Sequence, residues 1–421
     1  MRILQISNTD INGGAGRACY RLNCSLNKNG VVSEMLVLHK KSKDERVIKY
    51  QTKKNYISRS RILIKQLINR RKIKKYKINE KDYEMYSAGY SKYHVNPFDF
   101  KKYDMINLHW VSNFIDIYSF FPLMYKQKMP VIWTLHDMNA FTGGCHYTDS
   151  CNSYKSLCGN CPCLNSDDQN DLSHIIFKKK LNLFKNYDPR YLSFITPSKW
   201  LSKELSNSKI FRSFDSTVIP SGIDINMYKP VDKLEARSSL GLPRDKTIIL
   251  FVADSPNIKR KGIKYFHELR HSLLSKNDIF FVSVGKHKGT IDKLLNYKHI
   301  NHVKNDETLR RVYSASDFFI ITSIQDNLPN TVLESLSCGT PVLGFKIGGI
   351  AEMVENNYNG FLVNLGDINS LKNIILEYTG NKEFTKKLSA NSRNSVIEKF
   401  SSKLQAERYF MQYKEKLNKI N

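Results

Sequence analysis

No apolar stretch of this 421-residue sequence approaches the roughly 18 residues that a membrane-crossing helix needs. The first residues, MRILQIS, have neither the long apolar block nor the small-residue cleavage site of a secretory leader. They read as a first buried strand, and the expected location is the cytoplasm. No short internal repeat is visible, which argues against a solenoid or a propeller. Acidic residues are scarce: 39 Asp and Glu stand against 66 Lys and Arg, for a net charge of +27. Such an excess suits an anionic partner: a nucleotide, a lipid surface, a polyanionic glycan or a nucleic acid. A background bias toward Lys, Asn and Ile explains the same excess without a partner. Nucleic acid is the poorest of these readings. The chain has no recognised RNA or DNA module, and its basic residues are not interleaved with aromatics as a stacking platform requires.

The length allows two or three domains, each able to bury a core. Short apolar runs alternate with amphipathic stretches. MRILQIS, SEMLVLH, MINLHW and PVIWTLH in the first half, and TIILFVAD, DIFFVSVG, DFFIITS and TPVLGF in the second, read as buried parallel strands. The fold class is therefore α/β, with two doubly wound sheets. Turn-rich sequence near residues 219–246 marks the linker. We expect an N-terminal domain over 1–220, a C-terminal domain over 221–395, and a last helix over 396–421 packing back across the domains. Its apolar stripe is Phe400, Leu404, Tyr409, Phe410, Tyr413 and Leu417. Residues 53–77 hold eleven Lys and Arg, no acid, and interleaved Ile and Leu. A basic amphipathic helix on an anionic membrane surface and a solvated basic face are both open for this segment.

Five of the eight cysteines fall within residues 145–163. Clustering in a cytoplasmic chain favours a metal over disulfides. Cys145, Cys151, Cys158 and Cys161, closed by a CxxC pair with Gly159 in its turn, suit structural zinc, with His146 and Cys163 as spare ligands. A reduced cluster without metal is the competing reading. The insert follows His136 directly enough to shape the mouth of a ligand site there.

Three places carry chemistry. After SNTD, the run Ile11, Asn12, Gly13, Gly14, Ala15, Gly16, Arg17 places glycines at a strand-to-helix turn, where backbone can approach an anion. A tight connection without a ligand explains the same glycines, and the run is not a dinucleotide fingerprint, because no acid ends the second strand at the expected spacing. His136 and Asp137 follow PVIWTL, and His109 ends another strand, where open α/β sheets bind ligands. The fullest signal is DNLPNTVLE: Asp326 and Glu334 flank a loop-to-helix turn in which Asn330 and Thr331 present backbone N–H groups. That arrangement can hold phosphate through amides and ribose through a carboxylate; a capped helix with surface acids is the plainer alternative.

The segments GGAGRACYRL, WTLHDMNAFTGGCHY with CGNCP, TPSKWL, IPSGID, KRKG, DNLPNTVLESLSCGTPVLGF and GGIAEMV occur in one order over almost the whole chain. In this the sequence resembles the retaining glycosyltransferases of family 4, and among them enzymes of bacterial exopolysaccharide and colanic-acid-type assembly. The resemblance implies the GT-B fold, two facing Rossmann-like domains. It implies transfer of a sugar, with retention, from a nucleotide-diphosphate donor to a glycan or polyprenyl-diphosphate-linked acceptor, with no cofactor required. It implies that Asp326 contacts the donor sugar, Glu334 the ribose, the Asn330 and Thr331 amides the distal phosphate, and Lys261 the diphosphate. His136 would meet the donor sugar near its reacting carbon, and Gly13 and Gly14 would lie in a loop closing over the donor. Two departures stand out. Asp326 replaces the usual Glu, and the usual Arg before the Lys is missing, leaving Arg260 or Lys259 to substitute. A non-catalytic GT-B protein that binds a nucleotide sugar or glycan is the alternative; the retained Asp326, Glu334, Lys261 and His136 oppose it, and the missing Arg favours it.

Overall fold

The computed structural model describes residues 1–51, 71, 75–76, 86–87, 98–253, 258–286, 295–301, 303 and 305–420. Most of the basic segment 53–77, including Arg70, Lys72 and Lys74, lies outside the described residues, as do residues 254–257 ahead of Lys261. The chain divides into an N-terminal unit, Met1–Pro220 with Gln405–Asn421, and a C-terminal unit, Ser221–Leu404.

The N-terminal unit runs β1 (Arg2–Thr9), α1 (Gly13–Lys28), β2 (Val32–His39), β3 (Val47–Lys49), β4 (Met105–Leu108), α2 (Ile117–Lys126), β5 (Val131–Thr134), α3 (Leu172–Phe184), β6 (Leu192–Thr196), α4 (Lys199–Ser206) and β7 (Ser216–Val218). Its sheet is parallel throughout, in the order β3-β2-β1-β4-β5-β6-β7. The C-terminal unit runs α5 (Lys233–Ser239), β8 (Thr247–Val252), α6 (Ile263–Ser272), β9 (Ile279–Val284), β10 (Tyr297–Ile300), α7 (Asp306–Ala315), β11 (Phe318–Ile321), α8 (Asn330–Ser337), β12 (Val342–Phe345), β13 (Gly360–Val363), α9 (Ile368–Tyr378) and α10 (Lys382–Lys399). Its parallel sheet has the order β10-β9-β8-β11-β12-β13. Both are Rossmann-type windings. In each, strand order reverses beside the first strand, and ligands of such sheets bind outside the strand C-termini at that crevice.

All eight strands expected from apolar runs are present. Among the described residues five further strands occur, all short, and four of them (β3, β7, β10 and β13) are sheet edges. An edge strand has one neighbour instead of two, so three of these four, β3, β7 and β10, are only partly buried along their length, weakening the continuous apolar signal.

The single helix expected after Ser395 is two. Helix α10 continues to Lys399, and α11 (Ser402–Asn418) begins after a break. The break is held by Ile223, whose N–H donates to the Phe400 carbonyl and whose carbonyl accepts from Ser402 N–H, both at 2.9 Å. Helix α11 then buries Ala406, Tyr409 and Tyr413 among Ile3, Leu22, Leu26, Met105, Ile132 and Ile195 of the N-terminal unit. Burying each large side chain contributes roughly 1.5–3 kcal/mol.

Candidate functional site

In the C-terminal unit the switch point lies between β8 and β11, and the charged group gathers there. Lys259–Lys261 form a single 3₁₀ turn, closed by Gly262 in the left-handed region at φ 65°. Lys261 Nζ lies 2.9 Å from Asp326 Oδ2, and Arg260 Nη1 lies 3.1 Å from the same oxygen. Arg260 also donates to the Gln325 carbonyl at 2.9 Å. Of the two candidates to replace the missing Arg, Arg260 is buried against Asp326 while Lys259 is exposed. Ser323 Oγ and Asn327 N–H complete the shell around Asp326. Burial raises the pKa of this carboxyl, but the Lys261 ammonium and the Arg260 guanidinium outweigh it and hold it well below the usual carboxylate range.

Helix α8 starts four residues after Asp326. Pro329 is its N-cap, with no side-chain cap and no acid in the first turn, so the first-turn amides around Asn330 and Thr331 meet no carboxylate of their own helix. Glu334 is buried one turn on, and Tyr313 donates its hydroxyl to Glu334 Oε2 at 3.4 Å. Thus Lys261, Arg260, Asp326, Asn330, Thr331 and Glu334 all belong to elements at one end of one sheet.

In the N-terminal unit a solvent-open recess of about 580 Å³ lies at the ends of β4 and β5. His109, Trp110, Asn113, His136, Asp137 and Lys180 supply its polar lining, and Ile115, Ile117, Trp133 and Leu135 its apolar wall. His136 Nε2 meets His109 Nδ1 at 3.0 Å. Burial pushes the pKa of His136 down to about 4, against a smaller opposing pull from Asp137. Burial also holds His109 well below its ordinary value. Asp137 accepts from Trp110 Nε1 at 2.9 Å, Asn139 N–H at 2.9 Å and His146 Nδ1 at 2.7 Å, and His146 Nε2 meets Ser87 Oγ at 2.8 Å. Lys180 is 2% exposed, and its Nζ donates to the carbonyls of Asn139 and Thr142. Burial lowers its pKa to about 8.

Trp110 and Lys180 were not singled out from the sequence. Lys180 had a readable signal: it falls on the apolar face of α3 with Ile176, Phe177 and Phe184, where a lysine without a partner would be costly. In the glycine run, Gly13 and Gly14 open α1, but the close contact is made by Gly16, whose added Cβ would lie 2.3 Å from Thr9 Oγ1. No Cβ contact within 4 Å constrains Gly13, although its φ of 70° favours glycine.

The zinc expectation finds no support. Cys145, Cys151, Cys158 and Cys161 do border one small recess, yet among the described residues no three His, Cys, Asp or Glu side chains are arranged to hold a metal ion. Cys163, a spare ligand in the sequence reading, lies with Cys145 and Cys161. The three pack with Leu164, Leu172 and Ile176 as an apolar cluster. Cys151 turns to Ser153 Oγ at 3.4 Å, and His146 is engaged by Asp137 and Ser87.

Residues 232–395 match the family described as glycosyl transferases group 1, a span that contains Lys261, Asp326 and Glu334 but not His136. The chain is 29% identical over 199 residues to the UDP-Gal:alpha-D-GlcNAc-diphosphoundecaprenol alpha-1,3-galactosyltransferase of Escherichia coli, covering 44% of this chain and 50% of that one. It is 24% identical over 237 residues to a putative colanic acid biosynthesis glycosyl transferase of Escherichia coli K12, covering 55% and 56%. The chain thus spans about half the length of these relatives. In structure it is similar to the Anabaena protein HepE, solved in complex with UDP and glucose, with a TM-score of 0.64 at 15% identity over 98% of this chain and 99% of that one. Residues 232–395 therefore match the glycosyl transferases group 1 family, and the chain has the GT-B fold and relatives named as glycosyltransferases.

Proposed function

We propose that this protein transfers a sugar from a nucleotide-diphosphate donor to a glycan or lipid-linked acceptor, with retention, in the assembly of a cell-surface polysaccharide. The observation that carries this reading is the convergence of Lys261 and Arg260 on buried Asp326 at the β8/β11 switch point, four residues ahead of an uncapped helix start. Breaking the bond between the anomeric carbon and the phosphate oxygen leaves a diphosphate with growing negative charge. Fixed cations and first-turn amides stabilise that charge as it develops. In this reading Lys261 and Arg260 face the diphosphate, the Asn330 and Thr331 amides hold its distal phosphate, Glu334 accepts from the ribose hydroxyls, and Asp326 orients the cations and the donor sugar. His136 contacts the sugar from the N-terminal unit, and Gly13 and Gly14 lie in the loop over the donor.

The structure of HepE with UDP and glucose makes UDP-sugars the first donors to test, and the named acceptor of the Escherichia coli relative, an undecaprenol-diphosphate-linked sugar, makes a lipid-linked sugar the first acceptor. Release of nucleoside diphosphate that depends on acceptor is the expected result. Donor binding without any release, across a full donor panel, would instead make this a binding protein. The anomeric configuration of the product decides retention.

Glu334→Gln is expected to weaken nucleotide-sugar binding by about 1.5–3 kcal/mol, the scale of a hydrogen bond to a charged acceptor. Calorimetry checks it, and unchanged affinity removes Glu334 from the ribose.

We also propose that the enzyme works at an anionic membrane surface through residues 53–77. Among the described residues no helix is long and apolar enough to cross a membrane, so the attachment proposed is peripheral. Each Lys or Arg near such a surface contributes about 1 kcal/mol. Co-sedimentation with anionic vesicles is expected to weaken with salt and to be lost when Arg70, Arg71, Lys72, Lys74 and Lys75 become Gln. Equal failure on anionic and neutral vesicles defeats the idea.

A further inference from the structure

Trp110 has no role in the transfer reading, yet the recess holds its indole firmly by one edge. It lies two residues past β4, half-buried, on the lining of the recess. An indole N–H can only donate, and this one donates to Asp137 Oδ2 at 2.9 Å. Asp137 also accepts from His146 Nδ1 at 2.7 Å and from the Asn139 N–H at 2.9 Å. Burial works against ionising this carboxyl, but the His146 imidazole and the Asn139 N–H outweigh it and hold its pKa below the ordinary value. Asp137 is therefore an anion and a pure acceptor. Among the described residues His146 is the one ring packed on the indole, with centroids 5.6 Å apart at 37°.

The backbone beneath the indole is fixed as well. The Trp110 carbonyl accepts from the Asn8 N–H at 2.8 Å, and Asn8 Nδ2 donates to the Ser112 carbonyl at 2.9 Å. Asn139 Nδ2 donates to the Gly144 carbonyl at 2.8 Å, so its oxygen turns to the Ser112 hydroxyl, 3.1 Å away. Residues 110–112 are thus tied to the end of β1 on one side and to the loop after β5 on the other. Trp133 borders the recess too, but its N–H goes to the His109 carbonyl at 3.2 Å and its ring packs among Phe121, Phe194 and Phe211. It is wall. Trp110 is a held ring that still borders open space, beside Ile115, Ile117 and Leu135.

Aromatic surface that is already ordered binds with little left to immobilise. An indole whose N–H is satisfied inside the protein offers its apolar face. The ligand that fits has one flat face of C–H groups and a rim of hydroxyls, which describes a pyranose ring. Asn113, three residues on, is exposed on the same recess and supplies an amide for such a rim. We propose that Trp110 is a sugar-binding residue, its indole face a platform on which a pyranose ring of the substrate stacks. That ring belongs to the donor's sugar or to the terminal sugar of the acceptor, which share this chemistry. The identity of the ligand as a sugar rests on the reading of this protein as a glycosyltransferase; the held indole does not.

Indole ¹⁵N–¹H spectra of the full chain labelled at tryptophan test the platform. The chain has three tryptophans, and Trp110→Phe assigns the signal of residue 110. The probes are UDP-glucose, UDP-galactose, UDP-N-acetylglucosamine, N-acetylglucosaminyl diphosphate on a short prenyl chain, and UDP alone. The Trp110 signal is expected to shift with a UDP-sugar where the donor's ring stacks, or with the prenyl-linked sugar where the acceptor's does, and to stay in place with UDP. Trp110→Leu should weaken binding of that same probe roughly tenfold, the scale of a lost aromatic stack, and leave the affinity for UDP unchanged. Trp110→Phe, which keeps a ring, should lie between Trp110→Leu and wild type. Should Trp110→Leu not fold, the wild-type shifts and Trp110→Phe still decide. A Trp110 signal that moves with no sugar-bearing probe, or as far with UDP alone, overturns the proposal. So does a folded Trp110→Leu protein that binds every probe as wild type does. If the indole responds to a sugar but no donor is turned over, the platform stands and the glycosyltransferase reading falls. If Trp110→Leu transfers sugar with wild-type kcat/KM, the platform falls and the glycosyltransferase reading stands.

Discussion

Lys261→Ala is expected to lower kcat/KM by on the order of 10²–10³, the effect of removing one preorganised group that meets developing charge. The fold should survive the change. Asp326 keeps Arg260 at 3.1 Å, the Asn327 N–H at 3.1 Å and the Ser323 hydroxyl at 3.3 Å, so no buried carboxylate is left bare. The Lys261 side chain, by contrast, retains 26% exposure, and its ammonium is the more accessible of the two cations on Asp326. An exposed ammonium that shares its carboxylate with a buried guanidinium can turn to a diphosphate at little cost. The result to measure is turnover of the screened donor, beside far-UV circular dichroism and the unfolding midpoint. Wild-type turnover in a folded Lys261→Ala protein would falsify the phosphate clamp.

What the sequence made legible follows from distance along the chain. Asp326, Pro329, Asn330 and Glu334 lie within nine residues, so the turn, the helix start and the two carboxylates could be read from spacing alone. The hydrogen bonds around His109 could not. Gln5 meets His109 across 104 residues and Tyr413 across 408, and these residues look like ordinary members of a strand and a terminal helix until the sheet brings them together. The cysteine insert misled for a related reason. Its CxxC spacing describes what a short loop can ligate, but side-chain direction is set by contacts from outside the insert, such as Asp137 taking His146 and Leu172 and Ile176 packing beside Cys161 and Cys163. Arg260 illustrates the opposite case. The family's expected Arg is absent at its usual place, and the residue next to Lys261 reaches Asp326 because both sit on one turn aimed at the end of β11.

Gly262→Ala is expected to destabilise the C-terminal unit by on the order of 3 kcal/mol, in the tail of what single substitutions do. Two causes add. Gly262 has φ 65°, where an L side chain costs about 1–2 kcal/mol. Its added Cβ would also stand 1.8 Å from the carbonyl oxygen of Thr322, a contact that cannot persist. Thr322 is fully buried just after β11, and its hydroxyl donates to the Lys261 carbonyl at 3.1 Å. Either the end of β11 or the Lys259–Lys261 turn must therefore move, and both carry the proposed site. Gly380→Ala separates the two causes. It has a φ of 83° in the same unit, with nothing within 4 Å of its added Cβ, so it pays the conformational cost alone. Thermal unfolding should place Gly262→Ala roughly 6–12 °C below wild type, at about 2–4 °C per kcal/mol for a unit of this size, and Gly380→Ala well above it. The loss of transfer in Gly262→Ala should accompany that destabilisation, whereas in Lys261→Ala transfer fails in a protein that still melts near the wild-type temperature. Equal midpoints for the two glycine variants would show that the turn yields freely, and that Lys261 is not held on Asp326 by the backbone beneath it.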